Sequence, residues 1–210
     1  KLEPPFVCLM VSGGHTAILD VKDYNTHELL GTTVDDAAGE AFDKVARVLE
    51  LSYPGGPNVD KFSKGGNDQI NFTNHNSLSN TLNFSFSGIK TAVVNYVHKL
   101  KQNGEELNIA DICASFQRAV TEELVVKAIK ACKISERNKL VIAGGVSANS
   151  KLKERLAKEC KENGIELFMP ELNLCTDNGA MIGSAGYCMI KVGQGLADLS
   201  LTAKATVDLK

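Results

Sequence analysis

No two of the six cysteines (Cys8, Cys113, Cys132, Cys160, Cys175 and Cys188) stand in a CxxC pair. Their scatter argues against a zinc site and against a disulfide frame. Cys8, Cys113 and Cys188 lie in apolar settings, so reduced thiols of a cytoplasmic compartment are expected. Neither sign of charge dominates: a net charge of −2 gives no general attraction for nucleic acid or for an anionic membrane, and leaves any RNA contact to a local patch or a second subunit. No signal-peptide pattern is visible. The longest low-charge run, Gly179 to Ile190, is too short and too rich in small residues to span a bilayer, so no membrane role is expected. There is no internal repeat and no low-complexity tract. What remains is ordinary globular composition, 43% hydrophobic and 23% charged, in 210 residues, enough for one large domain or two small ones.

The stretch Leu140-Val141-Ile142-Ala143-Gly144-Gly145-Val146-Ser147-Ala148-Asn149 organises the rest. Its apolar start reads as a short buried strand, its glycines as a bend, and Ser147 to about Asn163 as a helix. Glycines at a strand-to-helix turn let backbone approach a ligand, and the helix start favours an anion. A plain βα loop eased by glycine is the other reading. Nearer the start, Phe6 to Val11 is a continuous apolar run, expected as a strand buried on both faces. Ser12-Gly13-Gly14-His15-Thr16 then turns into a second strand, Ala17 to Val21, as a hairpin whose amides could form an anion-binding concavity. Leu29 to Val34 suits a third strand. Lys1-Leu2-Glu3-Pro4-Pro5 looks like a linker, so the chain is expected to begin within a longer protein.

Asp35 to Leu51 is the clearest helix, with Ala38, Ala41, Phe42, Val45, Val48 and Leu49 on one face. Asp36, Glu40, Asp43, Arg47 and Glu50 share the opposite face, either a solvated surface or a carboxylate row in which Asp43 could bind ligand hydroxyls. Tyr53-Pro54-Gly55-Gly56-Pro57 is a turn, and Pro57 suits the first position of a short helix that carries Asp60. Asn67 to Asn83 reads as a surface loop. Ser87 is a candidate cap for a helix to about Gln102, and Asn108 for one to about Cys132 with Asp111 in capping-box spacing. After the central turn, a helix buries Leu152, Leu156 and Cys160, and Ile165 to Met169 is a strand closing a parallel βαβ unit. Asp177 is either the N-cap of a last helix, with Met181, Ile182, Ala185, Met189 and Val192 facing inward, or a metal- or phosphate-facing carboxylate at a strand's carboxyl end.

The order βββα, helical insertion, βαβα is similar to a ribonuclease-H-like α/β lobe of the actin, heat-shock protein 70 and sugar kinase superfamily. In detail, Val11 to Thr16, Asp35-Asp36-Ala37-Ala38-Gly39-Glu40-Ala41-Phe42-Asp43-Lys44, Tyr53 to Pro57, Phe84-Ser85-Phe86-Ser87-Gly88-Ile89-Lys90-Thr91, Ala143 to Asn149 and Thr176-Asp177-Asn178-Gly179-Ala180-Met181-Ile182-Gly183 resemble the bacterial form of the TsaD family, from Phe6 to about Gly193. That family comprises the tRNA N6-adenosine threonylcarbamoyltransferases, formerly labelled O-sialoglycoprotein endopeptidases.

The resemblance implies that residues 1–210 are a C-terminal nucleotide-binding lobe with a mainly helical insertion at about 52–134. The family's metal-binding His-x-x-x-His is absent, since His15, His27, His75 and His98 have no such spacing, so an N-terminal lobe is expected outside this chain. The implied activity moves a threonylcarbamoyl group from threonylcarbamoyl-AMP to N6 of the adenosine 3′ of the anticodon, in tRNAs reading codons that begin with A. The implied substrate contacts are Met10, Val11, Ser12, Gly13, Gly14, Asp43, Gly56, Asp60 and Asn149. His15 stands either near the reacting groups or as a packing residue of the hairpin. Asp177 is the one metal ligand implied here, for iron or zinc, and no residue is implied as a covalent catalyst. The implied partners are tRNA, a paralogous dimerisation subunit and an ATPase. Three other readings compete: an inactive isolated nucleotide-binding lobe or scaffold, a small-molecule kinase of the same superfamily, and a metallopeptidase, which lacks any His-Glu-x-x-His helix here.

Overall fold

A computed structural model describes residues 2–72, 78, 80–193, 197–198 and 200–202. Lys1, His75 and part of the 67–83 loop lie outside them. The chain opens with three antiparallel strands, β1 (Phe6–Val11), β2 (Thr16–Asp23) and β3 (Thr26–Thr32). Four helices follow: α1 (Ala38–Val48), α2 (Gly55–Phe62), α3 (Ser87–Asn103) and α4 (Ile109–Ile134). Then come β4 (Lys139–Ala143), a 3-10 turn (Gly145–Ala148), α5 (Ser150–Glu162), β5 (Glu166–Phe168), a second 3-10 turn (Leu172–Leu174) and α6 (Gly179–Lys191). The sheet order is β3-β2-β1-β4-β5, with β4 parallel to both β1 and β5.

In β1 the burial alternates. Val7, Leu9 and Val11 are fully buried, whereas Phe6, Cys8 and Met10 are only half-buried. The expectation of two buried faces is therefore corrected: one face enters the core with α1 and α4, where Phe42 and Phe116 meet edge to face at 5.1 Å. All six cysteines are free thiols. Burial pushes the Cys113 and Cys132 thiols up to about 12, which keeps them protonated and inert at neutral pH.

Several helix boundaries differ from the periodicity. α1 begins at Ala38, not Asp35, because the two preceding aspartates are occupied elsewhere. Asp35 accepts from the Ser85 and Ser87 hydroxyls and from the Phe86 and Ser87 amides. Asp36 bridges Lys44 and Lys90 at 2.7 and 2.8 Å. Ser87 is consequently the first residue of α3 and donates to Asp35 rather than capping the helix. Pro57 sits at the third position of α2, one turn in from the cap position of Pro54. The segment after α2 is no free surface loop: Arg118 donates to the Asp68 and Ile70 carbonyls, and Phe72 is buried edge-on to Tyr96.

The helix expected from Ser147 is broken at Asn149, which caps α5 by accepting from the Leu152 amide. The cap of α6 is Asn178 rather than Asp177, since Asn178 accepts from the Met181 amide. No residue of α6 is buried; Ile182 and Ile190 are 77% and 61% exposed, so the inward face expected for this helix is not covered by the described residues. Among the described residues no helix is long and apolar enough to cross a membrane.

Candidate functional site

Parallel pairing sets the site. Register Met10↔Ala143 makes β1 and β4 end at the same edge of the sheet, so the bends that follow them lie side by side. Gly144 holds φ +93°, and a Cβ there would stand 2.3 Å from the Val11 carbonyl oxygen and 3.3 Å from the Ser12 Cβ. Only glycine allows that approach. The hairpin bend is itself locked. The Ser12 amide donates to the His15 carbonyl at 2.8 Å, and the His15 amide donates back to Ser12 Oγ at 3.0 Å.

α1 is seated on this hairpin by its own unsatisfied helix-start amides. The Ala38 N–H donates to Thr16 Oγ1 at 2.9 Å and the Gly39 N–H to the Ser12 carbonyl at 3.1 Å. A Cβ on Gly39 would lie 2.8 Å from Gly13 Cα, so the helix could not sit this close with any other residue there. α2 is tied to α1 in turn: Asp43 Oδ1 accepts from the Gly55 amide at 2.8 Å. Asp60 Oδ1 accepts from the Ser150 hydroxyl at 2.6 Å, which joins α2 to the start of α5.

Between these elements lies a cleft of about 680 Å³. Gly13, Asp43, Gly56, Asp60 and Asn149, all singled out from the sequence, line it together. A Cβ on Gly13, Gly56 or Gly145 would meet nothing within 4 Å, so a ligand can come against bare backbone there. Asp43 and Asp60 each use Oδ1 to fasten two elements, and Oδ2 of each takes no protein hydrogen bond among the described residues. The site therefore offers open amides near the sheet edge and two half-free carboxylates from the helices. That combination suits a phosphorylated ligand with hydroxyl groups at its other end.

The other sequence candidates sit differently. Ser12 and Gly14 flank Gly13 in the turn. The Val11 side chain is fully buried in the core, and Met10 is half-buried in the sheet; neither lines the cleft. His15 is exposed at the turn, so its alternative as a packing residue is corrected. Asp177 is exposed beside Thr176, and it is Thr176 that lines the cleft. Residues missed from the sequence are Tyr53, Lys61 and Lys64 at the cleft and Gln117 behind it. A polar residue next to Phe116 on the buried side of a long apolar helix was the available signal for Gln117.

The family model for TsaD, tRNA N6-adenosine threonylcarbamoyltransferase, matches residues 1–184. A tRNA N6-adenosine threonylcarbamoyltransferase of Clostridium perfringens is 54% identical over 209 residues, 99% of this chain and 61% of its own length. One of Clostridium botulinum is 58% identical over 187 residues, 89% of this chain and 55% of its own length. The chain thus spans about three-fifths of the curated relatives it matches. Among solved structures, full-length HypF in its phosphate- and nucleotide-bound form superposes with a TM-score of 0.67 at 16% identity, covering 92% of this chain and 34% of HypF. HypF of T. kodakarensis gives 0.58 at 16% identity, covering 77% of this chain and 21% of that protein. At that identity the likeness is one of fold alone.

Proposed function

The chain belongs to the TsaD family, tRNA N6-adenosine threonylcarbamoyltransferase, and on that premise we propose that its cleft is the adenylate-binding side of a threonylcarbamoyl transfer site. In this reading residues 1–210 are the C-terminal nucleotide-binding lobe, and the helices of 52–134 an insertion in it. The observation that carries it is the meeting of the Ser12–Gly14 and Gly144–Asn149 bends at one cleft with two half-free carboxylates.

The reaction is acyl transfer. N6 of the tRNA adenosine attacks the carbamoyl carbonyl carbon of threonylcarbamoyl-AMP, the bond from that carbon to the phosphate oxygen breaks, and AMP leaves with the electron pair while N6 loses a proton. Within the Ser12–Gly14 turn the Gly13 and Gly14 amides, with that of Gly145, hold the phosphate and the carbamoyl end as charge builds there. Asp43 and Asp60 accept from the ribose hydroxyls through Oδ2, and Gly56 gives the sugar room. Asn149 has one amide hydrogen left for the nucleotide. Holding both ends fixes the acyl carbon where the amine must arrive. The dimerisation paralogue, the ATPase and tRNA enter as the partners that the family resemblance implies.

The implied metal, iron or zinc, would meet Asp177 here. One exposed carboxylate does not fit a metal by itself, and among the described residues no three His, Cys, Asp or Glu side chains come together. For the chain taken alone we therefore propose nucleotide binding without turnover. Modified adenosine formed by the chain alone from threonylcarbamoyl-AMP and tRNA would overturn that part. Asp43→Asn keeps an acceptor for the Gly55 amide but removes the charge facing the ribose. Calorimetry with AMP should show affinity about tenfold weaker at unchanged melting temperature; an unchanged affinity removes Asp43 from the site.

A further inference from the structure

A closed ring of hydrogen bonds stands behind the cleft. The Asp60 carbonyl accepts from Ser63 Oγ at 2.9 Å, and Ser63 Oγ accepts from Gln117 Nε2 at 3.1 Å. Gln117 Oε1 accepts from Asn149 Nδ2 at 2.8 Å. Asn149 is bonded through the chain to Ser150, whose hydroxyl returns to Asp60 Oδ1 at 2.6 Å. The ring joins α2, α4 and the start of α5, three elements far apart in the sequence. Gln117 is 3% exposed and does not line the cleft, yet with Ser63 it ties Asp60 to Asn149, both of which do, by a second path beside the direct Ser150–Asp60 bonds.

We propose that Gln117 is a positioning residue that sets the ribose selectivity of the nucleotide site. The proposal rests on the cleft being that site. The chemistry explains why the residue is glutamine. The position needs a donor toward Ser63 and an acceptor toward Asn149 at a fixed separation, and a neutral side chain amide supplies both. A carboxylate there would accept from the Ser63 hydroxyl and so draw it off the Asp60 carbonyl. An apolar side chain would leave the Asn149 N–H without a partner in a buried place. With Asn149 Oδ1 held by the Leu152 amide and Asp60 Oδ1 by Ser150, the ring leaves Asp60 Oδ2 and one Asn149 amide hydrogen as the groups offered to a ligand.

The test is titration of this chain with AMP and with 2′,3′-dideoxy-AMP by calorimetry, alongside thermal melts. The unsubstituted chain should prefer AMP. Gln117→Met, of similar volume, should weaken AMP about tenfold and leave dideoxy-AMP within about twofold, so that the preference collapses. Ser63→Ala cuts the ring at another point, with little risk to the fold, and should do the same. A preference preserved in both variants overturns the proposal, and so does an equal loss for both nucleotides together with a lower melting temperature, which would mark Gln117 as a packing residue only. If the unsubstituted chain binds neither nucleotide, the proposed site itself fails, and the role of Gln117 with it.

Discussion

Gly144 carries two constraints that no other residue satisfies together, a left-handed φ of +93° and a carbonyl 2.3 Å from where a Cβ would stand. Strain of this kind costs about 1–3 kcal/mol, and the backbone clash adds to it. Gly144→Ala should therefore lower stability by at least about 2 kcal/mol in urea melts and separate the two bends, with AMP affinity falling in the same preparation. At this scale the sequence was informative where chemistry is local. The glycines at the strand ends and Asp43 are candidates from position, whereas Asp60 and Asn149 become candidates through the family resemblance. It was uninformative where two neighbours compete for one role. Asp177 and Asn178 are both good caps, and nothing in the pattern distinguishes them; it is Asn178 that accepts from the Met181 amide. Gln117 was hidden because its meaning lies in partners on two other helices.

Between elements, two carboxylates just before α1 pin it to the start of α3, over the buried contact of Phe42, Phe86 and Ile89. Partial burial pushes the Asp35 carboxyl up, but the hydroxyls of Ser85 and Ser87 and the amides of Phe86 and Ser87 outweigh it and bring it below the ordinary aspartate range. Asp36 likewise is raised by desolvation and lowered further by Lys44 and Lys90, with a net downward shift. For a carboxyl depressed in the folded state, the stabilisation is complete above its unfolded value and is lost as pH falls toward the folded one. Stability should thus drop as pH is taken below the ordinary aspartate range. Asp35→Asn, although less stable at pH 7, should show a shallower drop when urea midpoints are followed from pH 7 to pH 3. The same junction shows why the helices were legible and their ends were not. Apolar spacing located α1, α4 and α5, because burial of a stripe is periodic. The ends are fixed by who satisfies the terminal amides, and for α1 those groups are Thr16 and Ser12 on a hairpin, which no pattern within the helix can indicate.

Across the whole molecule, the cleft is built from segments at both ends of the sheet's chain path: the β1–β2 turn, α1, α2, the β4–α5 corner and the turn that holds Leu172 and Thr176. A ligand bound there ties elements that must separate when the sheet and helices come apart, so its binding energy adds to global stability. At a concentration of AMP a hundredfold above its dissociation constant the gain is about 2.7 kcal/mol, which for a chain of this size raises the melting midpoint by roughly 5–10 °C. α6 stands outside that coupling. Its apolar periodicity was legible, but a stripe does not say what covers it, and here none of its residues is buried. Hydrogen exchange followed with and without AMP separates the two behaviours. Amides of the 12–16 turn and of the first turns of α1, α2 and α5 should slow on binding. Those of 179–191 should exchange at the same rate in both samples, because no residue of α6 itself lines the cleft. Slowing in α6 equal to that of the hairpin would mean that the last helix belongs to the same cooperative unit as the site.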